Sequence, residues 1–219
     1  MRACAKLSRD DGEVKVELER RDVLVAEVRL DDATGGLQKV RGYAAVFNRL
    51  AEGMPFLEEI APGAFAKTLA DGADVRLLVN HDGLPLARTR SGTLTLAEDA
   101  KGLFFEAELD VSDPDTQRVL PKLRRRDLDQ MSIGFITISD RWERQESGNK
   151  RTLLEVALYD ISLVTFPAYP QTSVSLRTAQ QVYDSYVAGQ QELGNAAEIE
   201  RERALRAHRE RFLQLELRR

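Results

Sequence analysis

Few side chains in this chain can move a proton at neutral pH or attack as a nucleophile. The 219 residues contain two histidines, His81 and His208, and a single cysteine, Cys4. Histidine is the usual general base because its ordinary pKa lies near the working pH. His81 follows the apolar run DVRLLVN (74–80) and precedes Asp82-Gly83, a turn signal, so it is expected at a strand end opening onto a loop. His208 lies in a charged C-terminal stretch and reads as a solvated or packing residue. Ser132 opens the segment SIGFITISDRWER. A serine hydroxyl is a poor nucleophile unless a base takes its proton. Alone, Ser132 would be an ordinary strand-edge serine; paired with His81 it is a candidate nucleophile. Gly134, two residues on, leaves room for a substrate strand or backbone to come close. A third group should orient the imidazole and stabilise its cation, as a carboxylate does in hydrolase triads. The apolar run 151–165 offers two, Glu155 and Asp160. An acid among Leu, Val and Ile needs a partner if buried. Strand alternation puts the two on opposite faces, so only one can meet His81. The plain alternative for both is an exposed face or pairing with arginines.

Other chemistries lack their residues. Cys4 sits near the terminus, where a catalytic thiol would lack rigid support, and one cysteine allows no internal disulfide. There is no Gly-x-Ser-x-Gly elbow, no His-Glu-x-x-His or Cys/His cluster and no phosphate-cradling glycine loop, so no metal or cofactor is expected. The net charge of −4 argues against a nucleic-acid partner, which favours a basic domain. The run Arg124-Arg125-Arg126 reads as a solvated turn or helix end. No apolar stretch is long enough to span a bilayer, and the N-terminus is polar from Arg2 onward, unlike a secretory signal. A soluble, cytoplasmic protein is expected.

The elements that must position these side chains follow from pattern. Residues 13–30 hold two alternating stretches, Val14, Val16, Leu18 and then Val23, Val25, Val28 beyond a charged break, which favour strands, though Leu18-Glu19-Arg20-Arg21 between them reads equally as a helical turn. Turn residues at 31–36 lead to a firmer strand at 39–47. AFAKTLADG (64–72) predicts a short helix stopped by Gly72. Strands are predicted at 74–80, 93–97 and 102–110. Ser-Asp-Pro-Asp at 112–115 starts a helix running to the arginines at 126. A strand follows at 132–144, then a long strand or a bent strand pair at 151–169, ended by Pro167 and Pro170. Beyond 178 the chain is rich in Ala, Gln, Glu and Arg. Leu205, His208, Phe212 and Leu215 recur at helical spacing, with a break expected at Gly189 and Gly194. The fold class is therefore α+β: a mainly antiparallel, barrel-like sheet with flanking short helices and a helical C-terminal tail. The divisions expected are an N-terminal extension 1–36, a catalytic domain 37–177 and a tail 178–219.

Five blocks then stand in order: RGYAAVFN, EEIAPGAFAKTL, LLVNHD, MSIGF and DISLVTFPAYP. Together they resemble the tailed-bacteriophage prohead (capsid maturation) serine proteases, a family related in fold to the herpesvirus assemblins. The resemblance covers about residues 38–177. It implies a serine endopeptidase that cleaves scaffold and capsid proteins, and commonly its own tail, inside the procapsid in the host cytoplasm. By that resemblance His81 and Ser132 are catalytic. Asp160 is the third member where the family often has a glutamate, with Glu155 as the alternative; the histidine that assemblins use there has no counterpart. The tail would support self-association or docking to the capsid. The competing expectation is a non-enzymatic capsid-assembly scaffold module, because a fold need not carry an activity.

Overall fold

The structure is a computed structural model. It describes residues 9–10, 13–14, 18–23, 28–31, 34–51, 54–165, 179–192, 196 and 200. In chain order the strands are β1 (Arg9–Asp10), β2 (Glu13–Val14), β3 (Glu19–Val23), β4 (Arg29–Leu30), β5 (Leu37–Val46) and β6 (Leu57–Ile60). After helix α1 (Ala66–Ala70) come β7 (Arg76–Val79), β8 (Asp82–Arg88), β9 (Leu94–Glu98) and β10 (Gly102–Asp110). Helix α2 (Pro114–Arg125) precedes the long pair β11 (Gln130–Gln145) and β12 (Gly148–Val164). A further helix, α3, spans 179–192.

The chain divides into two compact units, Met1–Thr178 and Ala179–Arg219. In the first, β1 and β2 form a small ladder and a four-stranded sheet runs β4-β5-β10-β9. A six-stranded sheet runs β3-β11-β12-β7-β8, with β6 also paired to β12. Most pairings are antiparallel; β6 and β7 run parallel to β12. One apolar core joins both sheets and both helices, including Val40 and Phe105 from the first sheet, Ile133 and Ile161 from the second, and Phe65 and Leu120. This is the mainly antiparallel α+β architecture that the patterning implies.

Local chemistry explains the elements next to the candidate residues. The Asp113 carboxylate accepts from the Asp115 N–H at 2.9 Å and caps α2, while Pro114 occupies its first turn, where no N–H is needed. Arg126 closes the helix in the left-handed region at φ 61°, and Arg125 pairs with Asp127 at 2.6 Å. The basic run is a helix end, as expected, and it delivers the chain to β11 just before Ser132. β11 and β12 run through the expected turn at 145–150 and close in a two-residue hairpin, with Gln145 opposite Gly148.

Four strands have no counterpart in the sequence reading: β1, before the first alternating stretch, β3, on the charged break between the two stretches, β6 and β8. β6 is short and takes its place by parallel pairing with β12, a non-local contact that local pattern does not carry. β8 begins at the expected Asp82-Gly83 turn; the turn is instead Asn80-His81, both at positive φ (54° and 58°), with Val79 opposite Asp82. Part of the expected N-terminal extension is also in the sheet, since β3 is the antiparallel neighbour of β11.

The second unit is described only over α3 and two single residues. Gly189 lies inside α3 rather than at a break. Gly194, the amphipathic positions Leu205, His208, Phe212 and Leu215, and Pro167 and Pro170 lie outside the described residues.

Candidate active site

A two-residue hairpin loop with positive φ at both centres is the tight turn favoured between twisted strands. Asparagine and histidine are among the residues that tolerate that conformation best. The Asn80-His81 turn is pinned to β12: the Asn80 N–H donates to the Leu163 carbonyl at 2.9 Å. The Asn80 side-chain oxygen accepts from the Thr165 N–H at 3.1 Å. The His81 N–H donates to Ser162 Oγ at 3.2 Å. The imidazole is thus held by a turn lashed to the central strand, not by the end of β7 alone.

Ser132 sits on β11 between two partners, Asp22 of β3 on one side and Ser162 of β12 on the other. Its Oγ lies 2.7 Å from His81 Nε2. The other ring nitrogen, Nδ1, lies 2.6 Å from Asp160 Oδ1. With the proton on Nδ1 donated to the carboxylate, Nε2 is free to accept from the serine hydroxyl. Both acidic-side contacts are sheltered: the His81 and Asp160 side chains are 7% and 10% exposed. Ser132 itself is fully buried.

Of the two carboxylates left open by the sequence, the fold brings Asp160 to His81 and leaves Glu155 opposite Ser139. Strand parity does not make this choice. Tyr159 is bulged out between the pairs Gly134–Asp160 and Phe135–Leu158, so strict alternation is broken between the two acids. Distance along the strand decides instead, since five residues amount to roughly 16 Å at about 3.3 Å each.

The glycine expected to admit a substrate backbone serves a different neighbour. A Cβ on Gly134 would stand 2.1 Å from Asp160 Oδ2 and 3.0 Å from its Cγ. The missing side chain is the space in which the carboxylate lies. The sequence reading passed over Ser162, whose Oγ donates to Asp160 Oδ1 at 2.8 Å and also lies 3.2 Å from His81 Nδ1. The signal was available: Asp160 and Ser162 are two apart in a strand, so both point to one face.

Next to the site lies a buried charge cluster that sequence reasoning also missed. Glu19, Arg21, Glu58 and Arg151 are all at most 5% exposed. Arg21 pairs with Glu19 at 2.5 Å and, through its Nε, with Glu58. Arg151 reaches Glu19 at 2.8 Å, Glu58 at 2.9 Å and Asp140 at 2.7 Å. Burial alone would push the Glu19 carboxyl up, but the Arg21 and Arg151 cations, with a hydrogen bond from Thr137, hold it down to about 2. Burial likewise disfavours the Arg21 and Arg151 cations, and their glutamate partners overcome it and raise both. Among the described residues no group of three or more His, Cys, Asp or Glu side chains is placed to hold a metal ion. No helix among them is long and apolar enough to cross a membrane.

The family described as caudovirus prohead serine protease matches residues 25–185, a span that contains His81, Ser132 and Asp160 and begins after β3. The solved structure of the capsid assembly protease of bacteriophage T4 aligns over 68% of this chain and 99% of that chain, at 10% identity and a TM-score of 0.42. No curated protein matches.

Proposed function

The chain belongs to the caudovirus prohead serine protease family, and from that premise we propose that it is a serine endopeptidase in which Ser132 is the nucleophile, His81 its base and Asp160 the orienting acid. Ser132 Oγ attacks a peptide carbonyl as His81 Nε2 accepts the hydroxyl proton. The imidazolium formed is stabilised by Asp160 and returns that proton to the departing amine. Water, deprotonated by the same nitrogen, then hydrolyses the acyl-enzyme and frees Ser132. Ser162 is a positioning residue that holds the acid.

The observation that carries this reading is the continuous chain from hydroxyl to imidazole to carboxylate, with contacts of 2.7 and 2.6 Å. A purely architectural role as a capsid-assembly scaffold module would need no such alignment of a serine, a histidine and an acid on three different strands or turns. The proposed substrates are phage capsid and scaffold proteins, cut inside the procapsid in the host cytoplasm. The segment from 178 onward is proposed as the docking or self-association element, and as a candidate for removal by the enzyme itself. The test is co-expression with the cognate capsid and scaffold proteins, following cleavage by gel and mass. Ser132→Ala should leave the partners uncut; undiminished cleavage would remove Ser132 from the mechanism.

A further inference from the structure

We propose that the edge of β11 beside Ser132 is the binding site for an extended peptide substrate, and that the chain's own residues Glu19–Val23 occupy it. The inference rests on Ser132 being the nucleophile, as proposed above. β3 lies antiparallel to Met131–Phe135, with Asp22 opposite Ser132 and Arg21 opposite Ile133. The Arg21 carbonyl oxygen is 3.1 Å from Ser132 Oγ, and Ser132 has no exposed surface. The Arg21 carbonyl presents its oxygen to Ser132 Oγ as an acceptor, so it fills the space beside the nucleophile that a substrate backbone would enter without offering its carbon for attack. It also competes for chemistry: Ser132 carries one hydroxyl proton, which can be donated to His81 Nε2 or to the Arg21 carbonyl, not to both.

β3 lies before the segment that matches the family, residues 25–185, and it is the terminal strand of the six-stranded sheet. Strand addition to a sheet edge is a general way to bind an extended peptide, with backbone bonds giving affinity and alternate side chains giving selectivity. Here the alternate side chains are Glu19 and Arg21. Glu19 reaches Arg151 and Thr137, and Arg21 reaches Glu58. The vacated site would present those same groups. Its ligand is therefore an extended peptide carrying a carboxylate two residues before a guanidinium, with the carbonyl of the basic residue against Ser132.

The test uses the full chain and a phosphonylating serine probe, with the site of labelling located by mass. Glu19→Gln combined with Arg21→Gln removes one anion and one cation, leaving Arg151 still paired with Glu58 and Asp140. Labelling of Ser132 should accelerate about tenfold or more, the effect of losing over about 1.4 kcal/mol of strand anchoring. A synthetic peptide of residues 17–25 should protect Ser132 in that variant, and the same peptide with both residues changed to Gln should not. Unchanged labelling, or equal protection by the two peptides, would overturn the proposal. Should the variant fail to fold, the unaltered chain decides. Labelling must then saturate with probe concentration at the rate at which the amides of 19–23 open to hydrogen exchange, and labelling that rises linearly past that rate overturns it. If Ser132 is labelled in no form of the protein, the nucleophile assignment fails instead.

Discussion

Asp160 meets both His81 and Ser162 through one carboxylate oxygen, Oδ1, and turns the other toward Gly134. Asp160→Asn keeps the shape but offers an amide where the imidazole needs an anion. It should lower kcat on a peptide substrate by about 10³ to 10⁴, while Glu155→Gln should leave kcat unchanged. Gly134→Ala forces the carboxylate aside, because its Cβ would stand 2.1 Å from Oδ2. A loss of roughly 10² in kcat/KM is expected, with at most about 1–3 kcal/mol of stability lost to overpacking; thermal unfolding separates the two effects. At this scale much was legible in the sequence. One histidine at a strand end, one serine at the head of a β-branched strand and two acids in an apolar strand left few combinations. The choice between the acids was not legible, because the bulge at Tyr159 depends on the pairing of two strands and not on either alone.

β3 shows why an element can be missed even when its residues are visible. ERRDV is highly charged, so no apolar alternation marks it, yet Glu19 and Arg21 are buried. The charges are tolerated because they meet Glu58 and Arg151 from distant strands, and those partners cannot be inferred before the fold is known. The same contacts give β3 a pH dependence. The Glu19 carboxyl, which burial would raise, is held near 2 by Arg21, Arg151 and Thr137, with Glu58 and Asp140 completing the cluster. Unfolded glutamate titrates at about 4.3. Since the folded value is the lower one, its contribution is complete above that pH and is lost as pH falls toward about 2. Amide exchange in residues 19–23 should accelerate over that window. Glu19→Gln should abolish the acid dependence and leave exchange fast throughout; an unchanged acid profile would mean that Glu19 does not anchor the strand.

For the molecule as a whole, apolar patterning located most of the core strands, though not β6 and β8, and both inner helices, because periodicity reports which face is buried. Sheet order, the parallel crossovers β6 and β7 onto β12, and the charge cluster are products of non-local pairing and stayed hidden. That cluster should matter to overall stability. Arg151→Met would leave Glu19 and Glu58 sharing Arg21 alone, and breaking a buried set in this way should cost about 3–5 kcal/mol in urea unfolding. A change under about 1 kcal/mol would mean the charges are better solvated than their burial indicates. The catalytic assignment itself can be read from a covalent intermediate. With an activated acyl ester as substrate, acid quenching and peptide mapping should find the acyl group on the fragment bearing Ser132, and Ser132→Ala should abolish both the adduct and the release burst. An acyl group carried by a different residue, or a burst that survives Ser132→Ala, would contradict it.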